Sequence, residues 1–274
     1  MKNLFVFLPL FFALEIRRFD LLLQSGIAFV ILSLMASAVY IFNDCHDLEE
    51  DRRHPKKKDR PLAAGRITKS NALICMILLL MISLPSSYLL NRSMFQFGIL
   101  YLAINVAYTL YLKHIPIVDI IVIAIGFVIR IFIGGSVAQV KISPWIIIMT
   151  FLLALFLALA KRRDDVLIFL DDGNRSRKVI DGYNLSFIDA SMVSFATITI
   201  VAYMMYTLSP AVTARFLTDK LYLTTLFVIV GITRYLQIAM VTKNSGSPTE
   251  ILWKDRFIQI SILCWLLSFA FLIY

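Results

Sequence analysis

Apolar runs close to a membrane span in length recur along the whole 274-residue chain. A bilayer core takes about 20 apolar residues per helix. Nine such runs can be placed, at about residues 4–14, 21–42, 72–90, 94–112, 116–138, 142–160, 188–208, 221–241 and 257–274. The expected fold is therefore an all-α polytopic membrane protein, a helical bundle of about nine transmembrane helices around a central cavity, with residues 1–274 forming one transmembrane domain. Composition agrees: 59% of residues are hydrophobic and 16% charged, against about 45–50% and about 25% in soluble domains. The first run, about eleven residues before Glu15, Arg17 and Arg18, is too short to cross unaided. It lacks a basic leader and a small-residue cleavage site, so a cleaved signal is not expected. It reads instead as part of a helix whose start lies upstream.

The chain carries 27 Lys and Arg against 18 Asp and Glu, a formal charge of +9. Alternating loops across nine spans puts nineteen of those bases on one side. They are Lys2, the run from Arg52 to Lys69, Lys113, the run from Lys161 to Lys178, Lys243, Lys254 and Arg256. The other side receives only Arg17, Arg18, Arg92, Lys141, Arg215 and Lys220, while Arg130 and Arg234 fall inside spans. By the positive-inside rule the first side is cytoplasmic, and the basic excess belongs to membrane topology, with no nucleic-acid partner expected. Cys45, Cys75 and Cys264 form no disulfide framework and need no oxidising compartment. Two cytoplasmic loops, at about 43–70 and 161–187, are long, and long loops without their own fold are usually functional or disordered. They also hold most of the acids: Asp44, Asp47, Glu49, Glu50, Asp51 and Asp59 in the first, Asp164, Asp165, Asp171, Asp172, Asp181 and Asp189 at the second. Topology needs the bases but not the acids, so the mixture points to metal ions and anions handled together.

The first loop begins Asn43-Asp44-Cys45-His46-Asp47-Leu48-Glu49-Glu50-Asp51. If the preceding helix continues, Asp44, Asp47 and Asp51 fall within an arc of about 60°. Three carboxylates and the Asn43 amide oxygen suit a hard cation such as Mg²⁺, which takes few protein ligands and leaves positions for phosphate oxygens. Lys57 and Arg60 follow closely enough to meet the same phosphate. The bland alternative is a solvated helix end, acidic and then basic. Against it stand the start at the membrane edge and the shaping of the segment by Pro55, Pro61 and Gly65. His46 and His54 lack Cys or His partners at metal spacing and read as surface histidines.

At the second loop, Lys161-Arg162-Arg163-Asp164-Asp165 closes a span, and a continued helix would stack Lys161 and Asp165 one turn apart. Arg130 sits mid-span. An arginine there costs at least about 2.5–3.5 kcal/mol by insertion scales, so it is expected to face a polar cavity or an internal partner. Gly134 and Gly135 permit close packing beside it. Arg234, nearer the cytoplasmic end of its span, is expected to snorkel or pair.

The order Asn-Asp-x-x-Asp-x-x-x-Asp after a membrane helix, then Arg60-Pro61 and small residues ending in Gly65, resembles the first signature of the UbiA-type intramembrane prenyltransferase superfamily. The form His54-Pro55-x-Lys57-x-x-Arg60-Pro61-x-Ala63-Ala64-Gly65 is similar to one branch, the decaprenyl-phosphate phosphoribosyltransferases. That branch also resembles this chain in showing Lys161-Arg162 and then an acid, where prenyl-diphosphate users would show Asp-x-x-x-Asp. A further match is Lys113, Asp119 and Gly126-Phe127-x-x-Arg130-x-x-x-Gly134-Gly135. The family's opening Arg-Pro-x-Gln-Trp-x-Lys-Asn is met here by Lys2-Asn3.

The resemblance implies catalytic roles for Asp44, Asp47, Asp51 and Lys161, with metal held by Asn43, Asp44, Asp47 and Asp51. It implies substrate contacts for Lys2, Asn3, Asn43, Lys57, Arg60, Tyr108, Lys113, Asp119, Arg130, Arg162, Asp165 and Tyr183. The activity implied is transfer of 5-phosphoribose from phosphoribosyl pyrophosphate to a polyprenyl phosphate at the cytoplasmic face of the inner membrane, with Mg²⁺ as cofactor. Two anions must meet in that reaction, which calls for the extra cations seen here. The acceptor phosphate is already ionised, so no strong general base is required, in keeping with three histidines and no nucleophile-base dyad. The alternative is prenyl transfer from a prenyl diphosphate to an aromatic or quinone-precursor acceptor. A transporter is a remoter reading, and the spans lack the mirrored Gly and Pro interruptions expected of one.

Overall fold

A computed structural model describes residues 2–53, 57–172, 178–242 and 248–273, and every regular element in it is helical. Part of the first loop's motif, His54, Pro55 and Lys56, lies outside the described residues, as do Arg175, Arg177 and Lys243. Among the described residues, eight helices are long and apolar enough to cross a membrane. The expected ninth span is instead a short helical segment, Lys2–Phe12. At about 1.5 Å of rise per residue it cannot bridge a core about 30 Å thick.

In chain order the α-helices are α1 (Leu8–Phe12), α2 (Phe19–His46), α3 (Leu48–Arg53), α4 (Lys69–Leu90), α5 (Arg92–Leu110), α6 (Val118–Val137), α7 (Pro144–Asp172), α8 (Leu185–Leu208), α9 (Pro210–Phe216), α10 (Thr225–Met240), α11 (Pro248–Lys254) and α12 (Arg256–Ile273). Side-chain oxygens close several N-termini, where the first amides have no intrahelical acceptor. Asn91 accepts from the Met94 amide at 3.0 Å and Asn184 from the Phe187 amide at 2.7 Å.

The contacts divide the chain into two compact units, Met1–Ser143 and Pro144–Tyr274. In the first unit α2 packs on α4 and α5, and α6 packs on α5 and the N-terminal segment. Ala28, Ile31, Leu32, Met35 and Ala36 form one stripe of α2 at helical spacing. They meet Met94 and Tyr101 of α5, Ile129, Ile133 and Val137 of α6, and Val6. Gly134 admits that last contact, since a Cβ there would stand 2.0 Å from the Val6 carbonyl oxygen. In the second unit α7 lies along α8, α8 along α10, and α10 along α12. Broad apolar faces remain outside both cores, as at Met81 (66% exposed) and Leu89 (83% exposed) of α4, which suits a lipid surround.

Candidate active site

In the first unit the charged residues gather where α2 runs into α3. The helical bonding carries through the junction: the Asp47 amide donates to the Asn43 carbonyl at 2.9 Å, and the Asp51 amide to the Asp47 carbonyl at 2.8 Å. The expected common face for Asp44, Asp47 and Asp51 therefore has a backbone to support it. The carboxylates nevertheless take different partners. Arg60 Nη1 bridges Asp44 Oδ1 at 2.7 Å and Asp51 Oδ2 at 2.8 Å, and Lys57 Nζ lies 3.8 Å from Asp51 Oδ1. Asp51 is buried while Arg60 is partly exposed. Asp47 turns to Lys113, whose ammonium donates to Oδ1, and a His46 ring N–H stands 2.9 Å from the same oxygen. Burial alone would raise the Asp47 carboxyl, but the bonds from Lys113 and His46 outweigh it and hold the group below the usual carboxylate range. Thr109 Oγ1 donates to Asn43 Oδ1 at 3.4 Å.

Lys113 thus joins the cluster from the turn between α5 and α6. It is 6% exposed, and Asp119 is fully buried in the first turn of α6, where a carboxylate suits the positive end of the helix. Tyr108 is partly buried on the last turns of α5, and Lys2 is exposed. Arg130 and Asn3, expected to contact substrate, hold each other: Arg130 Nε donates to Asn3 Oδ1 at 2.9 Å, Nη1 to the Gly126 carbonyl at 2.6 Å and Nη2 to the Tyr101 hydroxyl at 3.2 Å. Its guanidinium carbon also lies 5.0 Å from the Tyr101 ring centroid and 5.4 Å from that of Phe127. Asn3 passes the network on to Ser33 at 3.0 Å. The mid-span arginine is satisfied by neutral groups that pin the N-terminal segment against α2, α5 and α6.

In the second unit α7 runs past the expected span end near 160 to Asp172, so Lys161–Asp165 is helical. Arg162 pairs with Asp165 at 2.5 Å, one turn along the helix. Arg162 is 1% exposed, while Lys161 is exposed. Tyr183 is buried, its ring 6.2 Å from that of Phe187. Arg163 was not singled out in the sequence, yet it ties three helices of this unit together. It reaches Asp189 of α8 through Nε at 2.7 Å and Nη2 at 3.4 Å, and it donates from Nη1 to the Ala239 carbonyl of α10 at 2.7 Å. The sequence offered no signal that set it apart from Arg162, its neighbour about 100° around the same helix. Arg234 pairs with Asp255 at 2.7 Å, as expected of a near-edge arginine.

For a divalent cation the acidic cluster of the first unit offers the Asp44, Asp47 and Asp51 carboxylates and the Asn43 amide oxygen, hard donors of the kind Mg²⁺ takes. Asp44 and Asp51 already converge on a single cationic nitrogen. Among the described residues no three His, Cys, Asp or Glu side chains gather at metal-binding distance. The expected three-carboxylate set thus stands as a pair, Asp44 and Asp51, with Asp47 held aside by Lys113 and Asn43 by Thr109. The donors present fit a metal with few protein ligands and open positions for phosphate.

Membrane-length helices with acids and bases paired at their ends define a polytopic membrane protein with a charged cluster at its helix ends. The chain belongs to the UbiA prenyltransferase family, whose model matches residues 3–263. It is 31% identical to the decaprenyl-phosphate phosphoribosyltransferase of Mycolicibacterium smegmatis, over 93% of this chain and 82% of that one. It is 27% identical to the Corynebacterium glutamicum protein of the same name, over 92% of this chain and 76% of that one. Its fold is similar to that of a UbiA homolog from Archaeoglobus fulgidus solved with DMAPP and Mg²⁺, with TM-score 0.68, 19% identity and 98% of each chain covered.

Proposed function

We propose that this protein transfers 5-phosphoribose from phosphoribosyl pyrophosphate to a polyprenyl phosphate and releases pyrophosphate. The observation that carries the reading is the matching of acids by cations at both membrane-edge turns: Lys57, Arg60 and Lys113 beside Asp44, Asp47 and Asp51, and Arg162 beside Asp165. A site that joins two anions needs cationic groups for their phosphates, and a metal taken up by the carboxylates would release these cations to that role. Each of these cations can move from carboxylate to phosphate when substrate or metal arrives. The likeness to the phosphoribosyltransferases over most of the chain supports the same reading.

Asp44 and Asp51, with Asn43 and Asp47, would hold Mg²⁺. The metal's contribution when bound is to neutralise charge on the departing pyrophosphate. Arg60 and Lys57 then bind donor phosphate oxygens, Arg through its fork and Lys as a point charge. Lys161, Arg162 and Tyr183 orient the acceptor phosphate, with Asp165 steadying Arg162. The acceptor oxygen attacks the anomeric carbon, the bond from that carbon to pyrophosphate breaks, and the electron pair leaves with pyrophosphate. The reaction would run at the cytoplasmic face of the inner membrane, a reading that the basic excess of these loops supports.

Conventional prenyl transfer is the competing reading, because a structural relative is bound to DMAPP. Purified protein given Mg²⁺, a polyprenyl phosphate and ribose-labelled phosphoribosyl pyrophosphate should carry label into the lipid phase. Label that stays aqueous, while a prenyl diphosphate supports transfer to an aromatic acid, would reverse the choice.

A further inference from the structure

A cavity of about 320 Å³ opens in the second unit, between the end of α10 and the corner where α11 turns into α12. Arg234, Ile238 and Thr242 line one side of it, and Glu250, Lys254 and Asp255 the other. The corner is held by its own hydrogen bonds. Asp255 accepts from the Ile258 amide at 2.9 Å, and the Gln259 side-chain nitrogen donates to the Leu252 and Trp253 carbonyls at 3.0 and 2.7 Å. Ala239, whose carbonyl accepts from Arg163, falls in sequence between Ile238 and Thr242. The cavity therefore stands at the same end of this unit's helices as the charged turn of α7.

Two bases and two acids face the cavity. Arg234 donates to Asp255 through Nε at 3.2 Å and Nη2 at 2.7 Å, and to Gln237 through Nη1 at 2.8 Å. Among the described residues those bonds use three of the five N–H groups of a guanidinium, which leaves two to give. Glu250 and Lys254 pair with each other at 2.5 Å, and both side chains are more than half exposed. A pair of that kind contributes little and opens readily. A ligand of one sign meets repulsion from half of this set, whereas a ligand of both signs can answer each member.

The surroundings suit a lipid. Trp253 is 69% exposed beside the cavity, and tryptophan collects at the membrane-water interface. The Phe257 ring centroid lies 5.7 Å from the Arg234 guanidinium carbon. Phe257 also begins a stripe with Ile260, Leu267 and Phe271, all more than half exposed. At 100° per residue these four fall within about 80° of one another around α12. An acyl chain can lie along that stripe from the cavity into the bilayer.

We propose that the cavity binds the headgroup of a membrane phospholipid that carries both a phosphodiester and a primary ammonium, as phosphatidylethanolamine does. Arg234 and Lys254 hold the phosphate, Glu250 accepts from the ammonium, and the acyl chains follow the α12 stripe. A trimethylammonium headgroup has no N–H to give Glu250, and a purely anionic headgroup leaves that carboxylate without a counter-charge. The inference does not rest on the function proposed above.

The test measures apparent Kd by native mass spectrometry, with lipids of identical acyl chains added to the delipidated protein in detergent. Wild type should bind phosphatidylethanolamine about 10-fold more tightly than phosphatidylcholine or phosphatidylglycerol. Glu250→Ala should bring the ethanolamine and choline lipids within about 2-fold of each other, because the bond that distinguishes them is gone. Lys254→Ala should weaken both by a similar factor. Neither variant should shift the lipid-free Tm, since an exposed pair adds little stability. Equal binding of the three lipids by wild type, tighter binding of phosphatidylglycerol or of a polyprenyl phosphate, or a preference that survives Glu250→Ala would overturn the inference. The wild-type comparison alone is decisive if a variant fails to fold.

Discussion

Arg60 is the side chain on which the acidic cluster turns. One nitrogen serves both Asp44 and Asp51 at 2.7 and 2.8 Å, and Asp51 is almost wholly buried. Removing that cation leaves two carboxylates facing each other, a repulsion that a divalent ion relieves better than any neutral side chain. Arg60→Gln should therefore lower the Tm in metal-free buffer, and millimolar Mg²⁺ should raise it by more than it raises the wild type's. An equal Mg²⁺ effect on both proteins would count against metal binding at this pair. Asp255 gives a cleaner electrostatic readout. The Arg234 hydrogen bond holds its carboxyl below the usual range, burial opposes it, and the Ile258 amide adds to the lowering. Because the folded value is depressed, the stabilisation is present above the unfolded value of about 3.9 and is lost as pH falls below it. Asp255→Asn should lower Tm at neutral pH and converge with wild type on acid titration; parallel curves would contradict this. Partners such as Lys113 for Asp47 could not be read from the sequence, where 66 residues separate them and only the shared side of the membrane linked the two.

Helices were the most legible part of the chain, since each apolar run announces a span by length alone. The departures are physical. Apolar content marks where a helix enters lipid rather than where it stops, so α7 continues through Lys161–Asp165 to Asp172. Arg130 has a polar environment as expected, but Asn3, Tyr101 and the Gly126 carbonyl supply it, and substrate is not needed to explain the residue. The N-terminal segment is held by that network and by the close approach at Gly134. A Cβ at Gly134 meets the Val6 backbone at 2.0 Å, while one at Gly135 meets the movable end of the Ile142 side chain at 2.4 Å. Gly134→Ala should cost more than Gly135→Ala, with the former at or above the roughly 1–3 kcal/mol typical of overpacking. Denaturation of the two variants in the same detergent checks the order, and equal or reversed losses would mean that the segment does not dock on α6.

For the molecule as a whole, the +9 charge separates into a topological part and a chemical part. The positive-inside rule accounts for the bases, and the paired acids at two turns account for why those bases sit where they do. The first unit brings its cluster together from α2, α3, the segment at Lys57–Arg60 and the turn before α6, all at one end of its helices. The second unit ties α7, α8 and α10 together at one end through Arg163. Both arrangements follow from alternating spans, which is why the motif regions were readable without contacts, while their pairings were not. The most direct test of the central claim places both donors in competition. Protein in liposomes with Mg²⁺ would receive phosphoribosyl pyrophosphate and a prenyl diphosphate under different labels, with a polyprenyl phosphate and an aromatic acid as acceptors. The account predicts phosphoribosyl label on the polyprenyl phosphate, one pyrophosphate released per transfer, and no prenylated acid; prenylated acid without phosphoribosylated lipid would contradict it.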